Sequence, residues 1–230
     1  MRTRSKLLLG GALLVTAAGG GIGVADFALD DSKVNAYAMT GDVREIVVKS
    51  DSGNVDLVPG ARVRVRETQH FVSTKPTLDR TLQGGVLTLD SHCGTVVLRC
   101  FADLRVTVPA GVKVTVEAES GDIRSKPITV PAAHVHSDSG DIRLRLAGHQ
   151  SRVWAHTDSG DVETTVAAAR AVDAATDSGD VAVTVPRGDY ALDADTDSGD
   201  VDVAGIMRND HASKSITARS DSGDVAVRAR

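Results

Sequence analysis

The sequence is poor in aromatic residues: Phe, Trp and Tyr make up 3% of its 230 residues, while the hydrophobic fraction as a whole is 41%. Aromatic rings bury more area per residue than any other side chain. Their scarcity excludes a core built from ring clusters and predicts a thin core of Val, Leu, Ile and Ala. A chain of this length is sufficient for one good-sized domain.

The sequence also lacks an excess of positive charge, since its formal net charge is -5. General affinity for nucleic acid requires Lys and Arg that displace counterions from phosphates. The composition therefore excludes nucleic acid as a general partner. The acidic residues are concentrated in the second half, because residues 132–230 contain 10 Lys and Arg against 17 Asp and Glu.

The N-terminus has the pattern of an export segment. Arg2, Arg4 and Lys6 precede the apolar run of residues 7–25, and a basic flank before an apolar stretch is typical of a signal peptide. The run is also just long enough to span a bilayer as an anchor. We expect an exported chain, either secreted or held at the cell surface by this segment, with a linker at residues 26–42 and a single domain at residues 43–230.

Cysteine is scarce as well, with Cys93 and Cys100 the only two. In an exported chain such a pair persists as a disulfide. Bonded cysteines have Cα atoms about 4.4–6.8 Å apart, whereas seven extended residues span more than about 20 Å. A disulfide here requires the intervening segment to double back as a loop.

What the sequence has in abundance is one hexapeptide. TDSGDV occupies Thr157–Val162, Thr176–Val181 and Thr196–Val201, and looser copies stand at Ser50–Val55 and Glu119–Ile123. The motif glycines Gly140, Gly160, Gly179, Gly199 and Gly223 are separated by 20, 19, 20 and 24 residues. With Gly53 and Gly121 they are predicted turn positions, because Gly adopts positive φ without steric cost and Asp and Ser bond to nearby backbone.

Between the turns, apolar and polar residues alternate with a period of two, which indicates half-buried β-strands. Equivalent positions of successive units hold side chains of the same size, which stacking of repeats requires. The pattern predicts an all-β fold: a single right-handed parallel β-solenoid with rungs of about 20 residues and a more irregular N-terminal part. The alternative is an antiparallel stack in which each DSGD closes a hairpin. Ser-Gly is not a preferred hairpin pair, which favours the solenoid.

The opening IVVKSDSGNVDLVPG, the segment LRVTVPAGVKVTVEAESGDI and the serial SDSGDI and TDSGDV units resemble the bacterial putative-adhesin family of β-strand-repeat proteins, a domain of unknown function. The resemblance covers roughly residues 43–230. It implies an exported, all-β, solenoid-like ectodomain. It implies no catalytic residue.

Two metal hypotheses arise from the residues. Stacking would align the first aspartate of each motif along one edge, where a calcium ion would relieve their repulsion. These residues are Asp138, Asp158, Asp177, Asp197 and Asp221. The alternative is that they are hydrated turn carboxylates. Separately, His134, His136 and Asp138 alternate along one predicted strand, as zinc ligands can, or they simply face solvent. No other cofactor is indicated.

The motif serines recur in every unit, whereas serine catalysis needs one nucleophile with a histidine base and an orienting acid. We therefore interpret the chain as a non-enzymatic, adhesin-like or structural module of the cell envelope, with an unidentified envelope or surface partner and an unknown oligomeric state. The alternatives are a calcium-stabilised surface module and, less favoured, a hydrolase on a β-helix. Trp154 and His156, with Arg143 and Arg145 nearby, form the candidate contact surface, because Trp beside Arg is typical of interface anchors.

Overall fold

A computed structural model describes residues 31–94, 99–148 and 150–230 of the chain. Within these ranges the protein consists of twenty β-strands and no helix, so the all-β prediction is confirmed. The proposed export segment at residues 1–25 lies outside the described residues. None of the described residues forms a helix long and apolar enough to cross a membrane.

The strands form two ten-stranded sheets. Sheet A contains, in spatial order, β1 (Asp31–Ala38), β4 (Arg64–Phe71), β7 (Cys100–Val108), β3 (Val55–Pro59), β9 (Ile123–Ser125), β11 (Ile142–Leu146), β13 (Val162–Val166), β15 (Val181–Val185), β20 (Val225–Ala229) and β17 (Val201–Ala204). Sheet B contains β18 (Met207–Arg208), β16 (Asp189–Ser198), β19 (Ser215–Ser222), β14 (Ala169–Ser178), β12 (Ser151–Ser159), β10 (Ala132–Ser139), β8 (Lys113–Ser120), β2 (Glu45–Ser50), β6 (Val86–His92) and β5 (Thr77–Gln83).

Each repeat gives one strand to each sheet, and the DSGD turn carries the chain between them. The strands on the two sides of a turn, such as β12 and β13, lie in different sheets, so the turn does not close a hairpin. Equivalent strands of neighbouring repeats pair in parallel and in register, as in Val153 beside Val172 and Thr157 beside Thr176. Same-size side chains therefore stack on one another, as the alternation predicts.

The repeats do not stack in chain order. The last repeat, β19 and β20, lies between the β14–β15 repeat and the β16–β17 repeat in both sheets. The first repeat, β2 and β3, is likewise inserted between β8–β9 and the pair β6 and β7. The register still places the first aspartates of the motifs in one column, with Asp221 between Asp177 and Asp197. The long loop that contains residues 209–214 permits this crossing.

Antiparallel strands close the N-terminal end of the stack. In sheet A, β4 pairs with β7 and β1 pairs with β4, and in sheet B, β5 pairs with β6. Residues 31–38, which the sequence places in a linker, thus form a strand. Its alternation is inverted, because the partly buried positions hold Asn35 and Tyr37, which donate hydrogen bonds of 3.0 and 3.1 Å to the fully buried carboxylate of Glu67.

The core between the sheets is made of small aliphatic side chains. Val, Leu, Ile and Ala from both sheets fill it, and Tyr190 is the only aromatic residue among its described members that is less than 2% exposed. Cys93 and Cys100 form a disulfide with Cα atoms 6.1 Å apart. The disulfide joins the end of β6 in sheet B to the start of β7 in sheet A and so ties the two sheets together near the N-terminal end.

All seven predicted turn glycines have positive φ: Gly53, Gly121, Gly140, Gly160, Gly179, Gly199 and Gly223, with values of 107–151°. Gly179 also lies directly against the backbone of the adjacent repeat, so that a Cβ atom would overlap the carbonyl oxygen of Gly160. Gly111 has a positive φ of 84° but open space around its Cα. Substitutions at these two positions therefore distinguish the cost of backbone strain from the cost of steric overlap with the neighbouring repeat.

We expect Gly179→Ala to lower the free energy of unfolding by more than the ~1–3 kcal/mol of an unfavourable backbone conformation, because the added methyl group also displaces the neighbouring repeat. Gly111→Ala, the control, should cost only the conformational part. Chemical denaturation followed by circular dichroism measures both. Equal losses in the two variants would contradict the close-stacking interpretation.

Candidate functional site

The hydroxyl of the first motif residue donates a hydrogen bond to the neighbouring repeat on the N-terminal side of the stack. The hydroxyl of Thr157 donates to the carbonyl oxygen of Gly140 at 3.1 Å, and Thr176 donates to Gly160 at 2.9 Å. Ser220 and Thr196 make the same bond to the glycines of their spatial neighbours, Gly179 and Gly223, at 2.8 Å. Because both Thr157 and Thr176 are almost fully buried, this bond satisfies hydroxyl groups that would otherwise be costly to bury.

The second aspartate of the motif accepts a hydrogen bond from the neighbouring repeat on the C-terminal side of the stack. The Oδ1 atom of Asp161 accepts a hydrogen bond of 3.0 Å from the backbone N–H of Asp180 in the next repeat. The same bond runs through the whole stack at 2.8–3.0 Å, through acceptors Asp103, Asn54, Asp122, Asp141, Asp161, Asp180 and Asp224. The six carboxylates and the amide of Asn54 thus form a continuous side-chain ladder along the turn edge.

The first aspartate and the serine of each motif point into solvent. All ten of these residues are exposed, and among the described residues only Asp138 lies within ion-pair distance of a basic side chain, the ring of His136 at 3.2 Å. The described ranges contain no group of three or more His, Cys, Asp or Glu side chains arranged to hold a metal ion. His134, His136 and Asp138 therefore do not form the predicted zinc set, because the ring of His134 is turned onto Trp154 instead.

The centre of the outer face of sheet B carries a stack of three rings. His134 lies on β10, and its ring is 4.0 Å from the ring of Trp154 on β12, at an interplanar angle of 4°. His156 covers the other side of the indole at 3.8 Å, and its Nε2 atom lies 2.8 Å from Oδ1 of Asp173 on β14. We call His134, Trp154 and His156 the ring stack.

One member of the ring stack, His134, has a shifted pKa. Partial burial lowers the pKa of His134 below its ordinary value of 6.5; the nearby Glu117 opposes this effect, and His156 and His136 add to it. His134 is therefore neutral at neutral pH. A neutral imidazole stacks on the indole without the desolvation cost of a charge.

Two of the predicted contact residues do not belong to this surface. Arg143 and Arg145 lie on β11 in sheet A, whereas Trp154 and His156 lie on β12 in sheet B, so the core between the sheets separates the two pairs. Instead, Arg143 and Arg145 line a depression together with Arg105, Arg124 and Lys126. Sequence reasoning missed the last three residues, because they come from two other segments that only the inserted order of repeats brings together.

Stacked repeats of this kind, with two flat sheets and hydrogen-bonded turn edges, define the protein as a β-solenoid-like repeat protein. The sequence matches the Toastrack DUF4097 family over residues 19–230, and the chain belongs to that family. The resemblance to an adhesin-like domain family is thereby confirmed. Among curated proteins, none matches the sequence.

Two solved structures that are similar to this one come from proteins named for adhesion. A putative cell adhesion protein from Clostridium sporogenes is 8% identical, with a TM-score of 0.52 over 87% of this chain and 100% of that chain. A putative adhesin from Bacteroides fragilis is 14% identical, with a TM-score of 0.46 over 87% and 97% of the two chains. At this level of identity the first structure shows a shared fold alone.

We expect Asp161→Ala to lower the free energy of unfolding by ~0.5–1.5 kcal/mol, because the N–H of Asp180 loses its acceptor. Asp161→Asn should retain most of the stability, since an amide oxygen fills the same role at Asn54. Asp158→Ala is the matched control at the exposed position of the same turn and should change stability by less than ~0.5 kcal/mol. A loss at Asp158 equal to that at Asp161 would contradict the ladder.

Calcium should not stabilise the protein. The carboxylates of the ladder already accept backbone N–H groups, and the first motif aspartates are exposed to solvent. We expect the same melting temperature with calcium, with magnesium and with a chelator, measured by differential scanning fluorimetry. A rise with calcium well above that with magnesium would restore the calcium-stabilised module as an explanation of the motif.

Proposed function

We propose that this protein is a non-enzymatic, exported module of the cell envelope that binds a surface partner through the ring stack on sheet B. The proposal includes the finer description of the fold, a right-handed parallel solenoid. The in-register parallel pairing of successive repeats supports it.

The observation that carries the proposal is the position of Trp154. It is the only tryptophan of the chain, and it lies half-buried on the outer side of a sheet rather than in the core. Its neighbours His134 and His156 hold the indole upright between two imidazoles. An indole fixed in this way loses little conformational entropy on binding, and Trp is among the residues that most often dominate interface energy.

The geometry of the turns supports a binding role over a hydrolytic one. Ser139, Ser159, Ser178, Ser198 and Ser222 are spread along one edge of the stack and, within the described ranges, none of their hydroxyls has a histidine hydrogen-bond partner. An acyl-transfer site needs such a partner.

Two further facts support export and surface location. The basic residues Arg2, Arg4 and Lys6 before an apolar run are typical of an export segment. In addition, the Clostridium sporogenes protein that shares the fold is named a putative cell adhesion protein. Both are consistent with a repeat domain displayed outside the cytoplasm.

The test is binding of the labelled full-length protein to envelope fragments of the producing bacterium, followed by titration. We expect Trp154→Ala to weaken binding by tenfold or more, because truncating an interface anchor costs about 2 kcal/mol. Thr217→Ala is the matched control, since Thr217 lies two strands away in the same outward column. Equal binding by wild type and Trp154→Ala would refute the assignment of the surface.

A second measurement addresses the absence of enzymatic function. The protein is screened for turnover of polysaccharides and esters, where we expect none. Reproducible turnover that a single substitution abolishes would overturn the proposal and favour a hydrolase.

A further inference from the structure

A groove crosses the outer face of sheet A on the side of the molecule opposite to the ring stack. It exists because β9 is only three residues long, Ile123–Ser125, while its neighbours β3 and β11 have five residues each. A longer β9 would continue the backbone hydrogen bonding to β11, and Ser125 substitutes for it: its Oγ atom accepts a hydrogen bond from the N–H of Arg145 at 2.7 Å. Leu57, Val58 and Ser125 line the groove, which has a volume of about 370 Å³.

The rim of this groove is strongly cationic. Arg105, Arg124, Lys126, Arg143 and Arg145 line it, against the single carboxylate of Asp56. We call these five cations and the floor between them the cationic groove. Such a local excess is notable in a chain whose net charge is -5, because a concave surface of one charge attracts oppositely charged ligands.

Three of the five cations have carboxylate partners. Arg105 pairs with Asp56 at 2.9 Å, Arg124 with Asp122 at 2.5 Å and Arg143 with Asp141 at 2.9 Å. Lys126 and Arg145 are both exposed, and among the described residues no carboxylate lies within ion-pair distance of either. These two cations are therefore the free charges of the groove.

The cationic surface is longer than one small ligand. A second depression of about 370 Å³ adjoins the groove, shares Asp56, Arg105 and Arg124 with it, and adds Arg66 on β4 and the carboxylate of Asp103 on β7. Together the two cross β4, β7, β3, β9 and β11, which at ~4.8 Å between strands is a track of roughly 20 Å. A track of this length fits a linear ligand that carries charge at several points.

We propose that the cationic groove binds a linear, non-nucleotide polymer that bears phosphate groups. A tetrahedral phosphate presents oxygens in more than one direction and bridges cations on neighbouring strands, whereas a planar carboxylate is satisfied by a single guanidinium fork. The residues that line the groove include no aromatic ring, so nucleic-acid bases find no surface on which to stack. Lys126 and Arg145 contact the ligand first, since neither has to break an ion pair with a carboxylate.

This site is independent of the ring stack, because the two lie on different sheets. The test uses the full-length protein and inorganic polyphosphate, with the dissociation constant measured by isothermal titration calorimetry over a series of salt concentrations. We expect wild type to bind with an affinity that falls as salt rises. Lys126→Gln/Arg145→Gln should weaken binding by roughly tenfold or more at low salt and reduce the log–log salt slope by about one for each lost contact.

Arg228→Gln is the matched control: Arg228 lies on the same face of sheet A, in β20, and pairs with Asp202. It should bind polyphosphate like wild type. A circular dichroism melt checks the fold of each variant. Lys126→Gln alone serves as a second variant, since none of the described residues makes a hydrogen bond or ion pair with the Lys126 side chain.

Several results would overturn the proposal. Wild type that fails to bind polyphosphate at low salt would do so, and so would a double variant that binds as tightly as wild type. Polygalacturonate bound as tightly as polyphosphate would overturn the assignment of phosphate. Single-stranded DNA bound more tightly than polyphosphate would instead make nucleic acid the partner. Loss of binding in Trp154→Ala alone would assign the ligand to the ring stack.

Discussion

At the turn edge, the backbone of each repeat rests directly on the backbone of its neighbour, and this contact sets the geometry of the rest of the molecule. Only a residue without a side chain permits it, because a Cβ atom at Gly179 would overlap the carbonyl oxygen of Gly160. Once the turns touch, the motif threonine, the motif glycine N–H and the second aspartate each find a partner in an adjacent repeat. The two sheets then hold the same register over their length, and the small aliphatic core follows from it.

The inserted order of the repeats gives the first repeat and the last repeat a neighbour on each side. The C-terminal strand β20 therefore lies inside sheet A, whereas β1 forms one edge of that sheet. Strands with two partners fray less than edge strands do. At the C-terminal end of the stack the outermost repeat, β16 and β17, is instead exposed and acidic: Val201 is 43% exposed, and Asp195 and Asp202 flank it.

The same scaffold presents two chemically different faces. Sheet B carries the ring stack, and sheet A carries the cationic groove at its short strand β9. Neither face disturbs the turns, because outward side chains of a strand are free to vary while the inward side chains and the turn residues hold the stack. A repeat protein of this kind therefore acquires binding surfaces by substitution at outward positions alone.

Much of the fold could be predicted from the sequence, because the residues that determine its strands and turns act locally. The period of the glycines, the alternation between them and the lack of large aromatic residues determined the all-β class, the position of each turn and the composition of the core. The roles of Thr and of the second Asp in the motif were not readable, since their partners lie in another repeat. Strand β1 was missed because its partly buried residues, Asn35 and Tyr37, are polar and serve Glu67. The tertiary structure alone decided which repeats are neighbours, that Trp154 and Arg143 lie on different sheets, and that Arg105, Arg124 and Arg145 share one groove. Identical repeats pair equally well with any copy, so the chain's own order says nothing about which copy is adjacent; that choice depends on the connecting loops and on the packing of the whole stack.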